Sequence, residues 1–277
     1  MAVIISVVNQ KGGVGKTTTA VNLGAYLAKM GKFVLLVDLD PQCNATSGLG
    51  VDHKSLERGV YEALTGESAM KDVIVPTPIE GYRLAPATGN LAGAGVELVS
   101  VENREFKLQE ALMGVRHEYD YIIIDSPPSL GLLTVNGLVA ADQVLIPVQA
   151  EYYALEGLGQ LMETINLVKE HIKPDLSVLG AVITMFDGRN RLSNDVLKEL
   201  YKHFQNRIFR NAVPRNVRLA EAPSFGQSIL HYDPGSKGAK AYERLAEELA
   251  DVIENPRPET PASAEVPPPP IMPSDIV

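Results

Sequence analysis

Asn9-Gln10-Lys11-Gly12-Gly13-Val14-Gly15-Lys16-Thr17-Thr18 is the stretch from which the fold is read. Before it runs Val3-Ile4-Ile5-Ser6-Val7-Val8, an apolar segment with the composition of a buried parallel strand. After it, Ala20, Leu23, Gly24, Leu27 and Ala28 recur at spacings of three and four, and Gly31 supplies a helix stop. Strand, glycine-rich loop and helix in this order form a phosphate cradle. Small residues let backbone N–H groups turn inward, and the helix N-terminus adds partial positive charge. In such a cradle Lys16 sits against the β- and γ-phosphates and the Thr17 hydroxyl coordinates Mg²⁺.

One position departs from the usual motif. Where a glycine is expected five residues before Gly15 stands Gln10, and Lys11 with the Gly12-Gly13 pair replaces it. Lys-Gly-Gly-Val-Gly-Lys-Thr-Thr resembles the deviant P-loop of the ParA/MinD/nitrogenase-iron-protein class. The resemblance implies an α/β P-loop NTPase fold in a single domain: a mostly parallel twisted sheet with helices on both faces. It also implies ATP and Mg²⁺ as ligands, with Lys11, Gly12, Gly13, Val14, Gly15, Lys16, Thr17 and Thr18 around the phosphates.

The chain is 277 residues long, 45 % hydrophobic, without Trp, and carries a net charge of −9. That length suffices for one large α/β domain, and the acidic balance argues against a protein that coats nucleic acid uniformly. A local basic face remains compatible with it. A single cysteine, Cys43, rules out an intrachain disulfide framework and fits a reducing cytoplasm. Neither a signal peptide nor a bilayer-spanning run is expected, and the loop lies too near Met1 for a preceding helix-turn-helix domain.

Phe33-Val34-Leu35-Leu36-Val37-Asp38-Leu39-Asp40-Pro41-Gln42 reads as a second buried strand ending in two carboxylates. Their spacing puts Asp38 and Asp40 on one side if the strand persists, one for the metal shell or the loop and the other for the attacking water. Family resemblance assigns hydrolysis to Asp40. Residues 43–50 read as a mobile polar loop over the nucleotide. Cys43 stands where relatives often carry Gly, and a small space-filling role is preferred over a reactive thiol. Tyr82-Arg83-Leu84-Ala85-Pro86 suggests a short strand, and a helix is expected from about Glu102 with Leu108, Ala111, Leu112 and Val115 inward.

Tyr121-Ile122-Ile123-Ile124-Asp125 is a Walker-B-like strand whose terminal Asp125 can reach Mg²⁺ through water, followed by a Pro127-Pro128 turn. Further strands are expected at 144–148 and 179–187. Between them a helix buries Leu158, Leu161, Met162, Ile165 and Val168. Glu151-Tyr152-Tyr153-Ala154-Leu155-Glu156-Gly157 resembles Soj-type chromosomal ParA proteins, which implies a place near the nucleotide and a dimer interface. Val213-Pro214-Arg215-Asn216-Val217-Arg218 resembles the same group. By that resemblance Pro214 and Asn216 pack on adenine, with Met185 against the ring.

Residues 186–218 hold eight basic residues against three acidic ones, a local +5 in an acidic chain. A helix over about 192–205 turns Leu192, Val196, Leu200 and Phe204 one way and Arg191, Lys198 and Lys202 the other. This charge inversion points to a phosphate-backbone surface, since non-specific DNA binding needs charge rather than base-reading side chains. Arg189, Arg191, Lys198, Lys202 and Arg218 are the candidate contacts. A last helix over 238–253 buries Ala241, Leu245, Leu249 and Val252. The ATPase domain is expected to span 1–254, and 255–277, with eight prolines and several acids, forms a disordered tail.

The resemblance implies an ATPase switch of weak basal activity. Two protomers sandwich two Mg²⁺·ATP with Lys11 of each reaching the other's phosphates, and the homodimer binds double-stranded DNA. A ParB/Spo0J-type centromere-binding partner stimulates turnover, driving chromosome or plasmid segregation on the nucleoid; Soj-type members also act on the replication initiator. A MinD-like membrane ATPase requires a basic amphipathic C-terminal helix, which the acidic proline-rich tail does not form. One cysteine is too few for an iron-protein cluster. A metabolic synthetase or kinase on the same scaffold stays open at this point.

Overall fold

The strand that leads into the glycine loop lies inside the sheet, with neighbours on both sides. The computed structural model describes residues 1–151, 154–189, 200, 204 and 207–255. Strand β1 (Val3–Val7) pairs in parallel with β5 (Tyr121–Asp125) on one side and β6 (Gln143–Gln149) on the other. The remaining strands are β2 (Val34–Asp38), β3 (Val75–Pro76), β4 (Tyr82–Ala85) and β7 (Ser177–Thr184), in the order β3-β4-β2-β5-β1-β6-β7. Only β3 and β4 run antiparallel.

Helices cover both faces, so β2 and β5 are buried along their whole length. That double burial explains their unbroken apolar runs, since no side of either strand faces water. One face is packed by α1 (Lys16–Lys29) and by the helix Lys237–Glu254. On that same side lies α2 (Asn44–Gly48), whose buried Ala45 joins the same core, and the other face is packed by α3 (Val60–Thr65), α4 (Met70–Val73), α5 (Leu91–Glu97), α6 (Lys107–Met113), α7 (Leu132–Ala140) and α8 (Ala154–His171). Two short helices, α9 (Val217–Glu221) and α10 (Ile229–Tyr232), precede the last, α11 (Lys237–Glu254).

Helix α1 ends as its sequence suggests, with Gly31 at φ 83°, a conformation that costs glycine no Cβ clash. Its apolar residues Ala20, Leu23 and Leu27 are fully buried. Gly24 has no room for a methyl group, because the Tyr82 ring lies against it and donates its hydroxyl to the Val21 carbonyl at 3.1 Å. Ser236 caps α11 by accepting from the Ala239 N–H at 3.1 Å. A buried hydroxyl pair, Thr19 and Tyr242 at 3.1 Å, joins the two helices.

Several boundaries differ from the sequence reading. Helix α6 starts at Lys107 rather than about Glu102, because Asn103 takes a left-handed φ of 52° and a 3₁₀ turn follows over Arg104–Phe106. Residues 43–50 are not a polar loop. They contain α2, with Ala45, Thr46, Gly48 and Leu49 buried. Strand β2 stops at Asp38 rather than running to Gln42, so Asp38 and Asp40 do not share a strand face. Strand β7 stops at Thr184, where Met185 turns to φ 51°. The helix expected over 192–205 and the tail over 256–277 fall outside the described residues, except that Leu200 and Phe204 are buried as expected.

Candidate nucleotide site

The glycine loop runs from the C-terminal end of β1 into α1, where the chain leaves a central strand of a parallel sheet. Ligands gather at such edges because backbone N–H groups and a helix N-terminus converge there. Gly13 at φ 75° and Gly15 at φ 89° make the turn, and both angles are in the left-handed region. Gly12 and Gly13 are exposed, and a Cβ at either would meet nothing within 4 Å. Space at Gly12 is therefore left open on the solvent side of the cradle.

Two side chains that sequence reasoning passed over pin this loop. Asn9 donates its amide to the Pro147 carbonyl at 2.7 Å and accepts from the Lys11 N–H at 2.9 Å. Thr184, at the end of β7, donates its hydroxyl to the carbonyl of buried Val14 at 2.7 Å. At the other end, the Asn22 amide holds the Thr18 carbonyl at 2.8 Å. The loop is thus tied to β6 and β7 before any ligand arrives, which lowers the ordering cost of binding.

Lys16 is only 7 % exposed, and its Nζ lies 3.3 Å from the Lys11 carbonyl oxygen. Burial lowers its pKa, while Asp125 and Asp40 pull it back up. Asp125 ends β5 beside both β1 and β2, in register with Val7 and Asp38. Burial pushes its carboxyl well above the usual range, and Asp38 adds to the rise. Thr17 is near enough to ease that shift, yet neither Asp125 oxygen takes a hydrogen bond of acceptable geometry. A fully buried carboxylate without donors calls for a cation. Thr17 and Asp125 therefore fit a Mg²⁺ ion that keeps water and phosphate oxygens as its other ligands. Among the described residues no group of three or more His, Cys, Asp or Glu forms a metal cage, and such an ion needs none.

The two carboxylates after β2 separate in role. Asp38 is fully buried and saturated: it accepts from the Thr46 N–H at 2.8 Å, the Thr46 hydroxyl at 2.6 Å and the Asp40 N–H at 3.2 Å. Burial still pushes it up to about 6. Asp40 is 6 % exposed, and one of its oxygens accepts from the Gln42 N–H at 3.0 Å. Its second oxygen has no hydrogen bond among the described residues. Asp38 anchors α2, and Asp40 is the carboxylate left with an acceptor to offer.

Lys11 is engaged by an ion pair. Its Nζ pairs with Glu151 at 3.3 Å, and Glu151 also meets the Gln149 amide at 2.6 Å and Arg215 at 3.8 Å. Met185 and Pro214 are brought near each other at the end of β7. Phe186 bridges to Pro214, the Phe186 N–H donates to the Val213 carbonyl at 3.0 Å, and Thr184 next to Met185 already touches Val14. Asn216 caps α9, accepting from the Leu219 N–H at 3.3 Å, so its amide oxygen is engaged by the backbone. Arg189 and Arg218 lie at the surface beyond β7 and on α9; Arg191, Lys198 and Lys202 fall outside the described residues.

A family profile described as AAA domain matches residues 2–178. The sporulation initiation inhibitor protein Soj of Bacillus subtilis is 54 % identical over 250 residues, which cover 90 % of this chain and 99 % of that protein. The chromosome-partitioning ATPase Soj of Thermus thermophilus is 54 % identical over 246 residues, 88 % of this chain and 94 % of its own. The chain belongs to the ParA/Soj family of partitioning ATPases. Among solved structures, cobyrinic acid a,c-diamide synthase from Mycobacterium smegmatis with bound ADP and magnesium superposes with a TM-score of 0.82 at 40 % identity, covering 93 % of this chain and 97 % of its own. A plasmid partition protein from Borrelia burgdorferi bound to AMPPNP gives 0.76 at 26 %, covering 92 % and 99 %.

Within this ParA/Soj chain, Cys43 sits at φ 55°, a left-handed angle that glycine would adopt without a Cβ clash. Its side chain is buried, and burial, followed by Asp38 and Asp40, pushes the thiol up to about 11. A neutral-pH aromatic disulfide reagent should therefore label the unfolded chain and leave the folded one untouched; fast labelling of native protein would contradict the burial. Thr46 left no sequence signal, because its role depends on Asp38 eight residues away. It also accepts the Ala87 N–H at 3.0 Å. Thr46→Val should lower the urea unfolding free energy by about 2 kcal/mol, the cost of removing a buried hydrogen bond to a carboxylate. A change near zero would show that Asp38 is held by other means.

Proposed function

We propose that this chain is an ATP-dependent dimerisation switch that binds duplex DNA non-specifically and releases it on hydrolysis, as part of chromosome or plasmid segregation. The observation that carries this reading is the placement of its two loop lysines. Lys16 is buried in its own cradle, while Lys11 is one-third exposed at the rim and held by Glu151. A partly exposed cation next to the cradle supports a role in completing the site of a second copy. Such a cation does what an arginine finger does in other NTPases, spreading the charge that builds on the transferring phosphoryl group. Delivery across an interface couples ATP occupancy to dimerisation.

In this reading Gly12 to Thr18 and Lys16 hold ATP, and Thr17 with Asp125 holds Mg²⁺, with Asp40 assisting through its shell. A magnesium ion held there would supply charge neutralisation for the phosphates. Asp40 orients the attacking water and accepts its proton, and Met185, Pro214 and Asn216 line the base. Relatives whose structures carry ADP with magnesium or AMPPNP support these ligands. Residues 1–254 form the ATPase unit and the tail lies outside it. We place the protein in the cytoplasm on the nucleoid, with turnover stimulated by a ParB/Spo0J-type partner. No helix among the described residues is long and apolar enough to cross a membrane.

Dimerisation doubles the basic surface, so DNA affinity rises by avidity without any new contact. Gel shift with arbitrary duplex DNA tests this: binding should require ATP, ignore sequence and weaken with salt. Arg189→Ala or Arg218→Ala should each lower the affinity about fivefold per protomer, equivalent to ~1 kcal/mol for one exposed ion pair. Each should also reduce the salt slope and leave dimerisation intact. A second reading, a metabolic synthetase or kinase on the same scaffold, is favoured by the 40 % identity to the M. smegmatis diamide synthase. No DNA binding at low salt, with either nucleotide, would favour it.

A further inference from the structure

We infer that Asp187 and Glu221 act as brakes on DNA affinity, holding the two arginines that would grip phosphate in intramolecular pairs until a doubled surface outcompetes them. This rests on the DNA-binding reading above and concerns how that surface is regulated. The Arg189 guanidinium makes a two-pronged pair with Asp187, Nε to one oxygen at 3.1 Å and a terminal nitrogen to the other at 3.2 Å. Arg218 donates to Glu221 at 2.9 Å, and its Nε lies 3.4 Å from Asp233. The Tyr232 hydroxyl donates to the same Glu221 oxygen at 3.1 Å, and the Tyr232 ring stacks on Phe225 with centroids 5.0 Å apart. Glu221 is thereby fixed in place rather than sweeping freely through solvent.

These pairs change the charge that DNA meets. Over 186–218 the sequence carries +5, but that stretch stops short of Glu221 and Asp233. The Arg189–Asp187 pair carries no net charge, and at Arg218 two carboxylates oppose one guanidinium. The guanidinium fork fits carboxylate and phosphate with the same planar geometry, so the two compete for the same donors. Both arginine side chains are more than half exposed, at 83 % and 54 %, so the exchange requires no unfolding. A protomer alone faces the competition with one set of arginines. Two protomers face it with two sets on one duplex, and avidity multiplies the gain. The carboxylates thus set the threshold below which a single protomer stays off DNA.

The test uses full-length protein with Asp187→Asn, with Glu221→Gln and with both, since each amide keeps the shape and removes the charge. Duplex DNA affinity is measured by fluorescence anisotropy across a salt series, with a non-hydrolysable ATP analogue and with ADP, and light scattering follows dimer mass. We expect a roughly twofold to fivefold tightening per carboxylate, a steeper salt slope as freed guanidinium groups gain phosphate contacts, detectable binding with ADP, and unchanged dimer mass. Glu110→Gln, which frees Lys107 from a 3.0 Å pair on α6, makes the same net charge change elsewhere and should leave affinity unaltered. Unaltered affinity in the Asp187 and Glu221 variants, or equal tightening by Glu110→Gln, would overturn the brake. Arg189→Ala and Arg218→Ala are run alongside. If they weaken binding while the carboxylate variants do nothing, only the brake fails; if they too do nothing, the DNA surface itself has been misassigned and both fail.

Discussion

Lys16→Ala should cost at least a hundredfold in ATP affinity by equilibrium dialysis, with the protein still folded. Truncating one partner of a buried, hydrogen-bonded charge pair costs about 2 to 5 kcal/mol, or roughly 30-fold to 4,000-fold. The upper part of that range applies here because Lys16 also offsets Asp125 and Asp40. Without it, a triphosphate enters a site whose nearest fixed charges are carboxylates, one of them Asp125 with no hydrogen-bond donor of acceptable geometry. The loop itself should keep its shape, since Asn9 and Thr184 hold it and neither depends on Lys16. Normal ATP binding by the variant would remove the cradle from the mechanism.

Asp40→Ala should bind ATP, dimerise and hydrolyse slowly, with turnover down by about 10² to 10⁴, the usual contribution of a positioned base. The side chain is nearly buried yet keeps one oxygen without a hydrogen bond among the described residues, whereas both oxygens of Asp38 are engaged. Loss of Asp40 therefore removes an acceptor while the fold's own anchor at Asp38 survives. The measurements are phosphate release and light-scattering mass with ATP and with ADP. Unchanged turnover would take Asp40 out of the chemistry. A monomer under saturating ATP, in a variant that cannot hydrolyse it, would end the proposal that Lys11 works across an interface.

Asp38 and Asp40 show where sequence reading stops. Two carboxylates at a strand end invite the idea of a shared face, and the pattern alone does not say which is free. The answer depends on Thr46, which reaches Asp38 only because 43–50 folds as a helix over the strand edge rather than as a loop. The basic segment shows the same limit. Its net charge is a sum over sequence, while the field at its surface depends on Glu221 and Asp233, which lie outside the segment and pair with Arg218. Lys11 and Glu151 are 140 positions apart and meet through the ends of β1 and β6.

By itself the sequence determined the buried strands, the glycine loop, the helix that follows and the two lysines. Each of these is a local matter: apolar runs report double burial, glycines report left-handed turns, and neighbours a few residues apart decide both. Only the tertiary structure decided which carboxylate is spent on the fold, what holds the loop still and how Lys11, Arg189 and Arg218 are engaged. Aspartates and arginines look alike in sequence wherever they fall. Their work is set by the donor or acceptor within about 3 Å, and packing of distant segments supplies that partner.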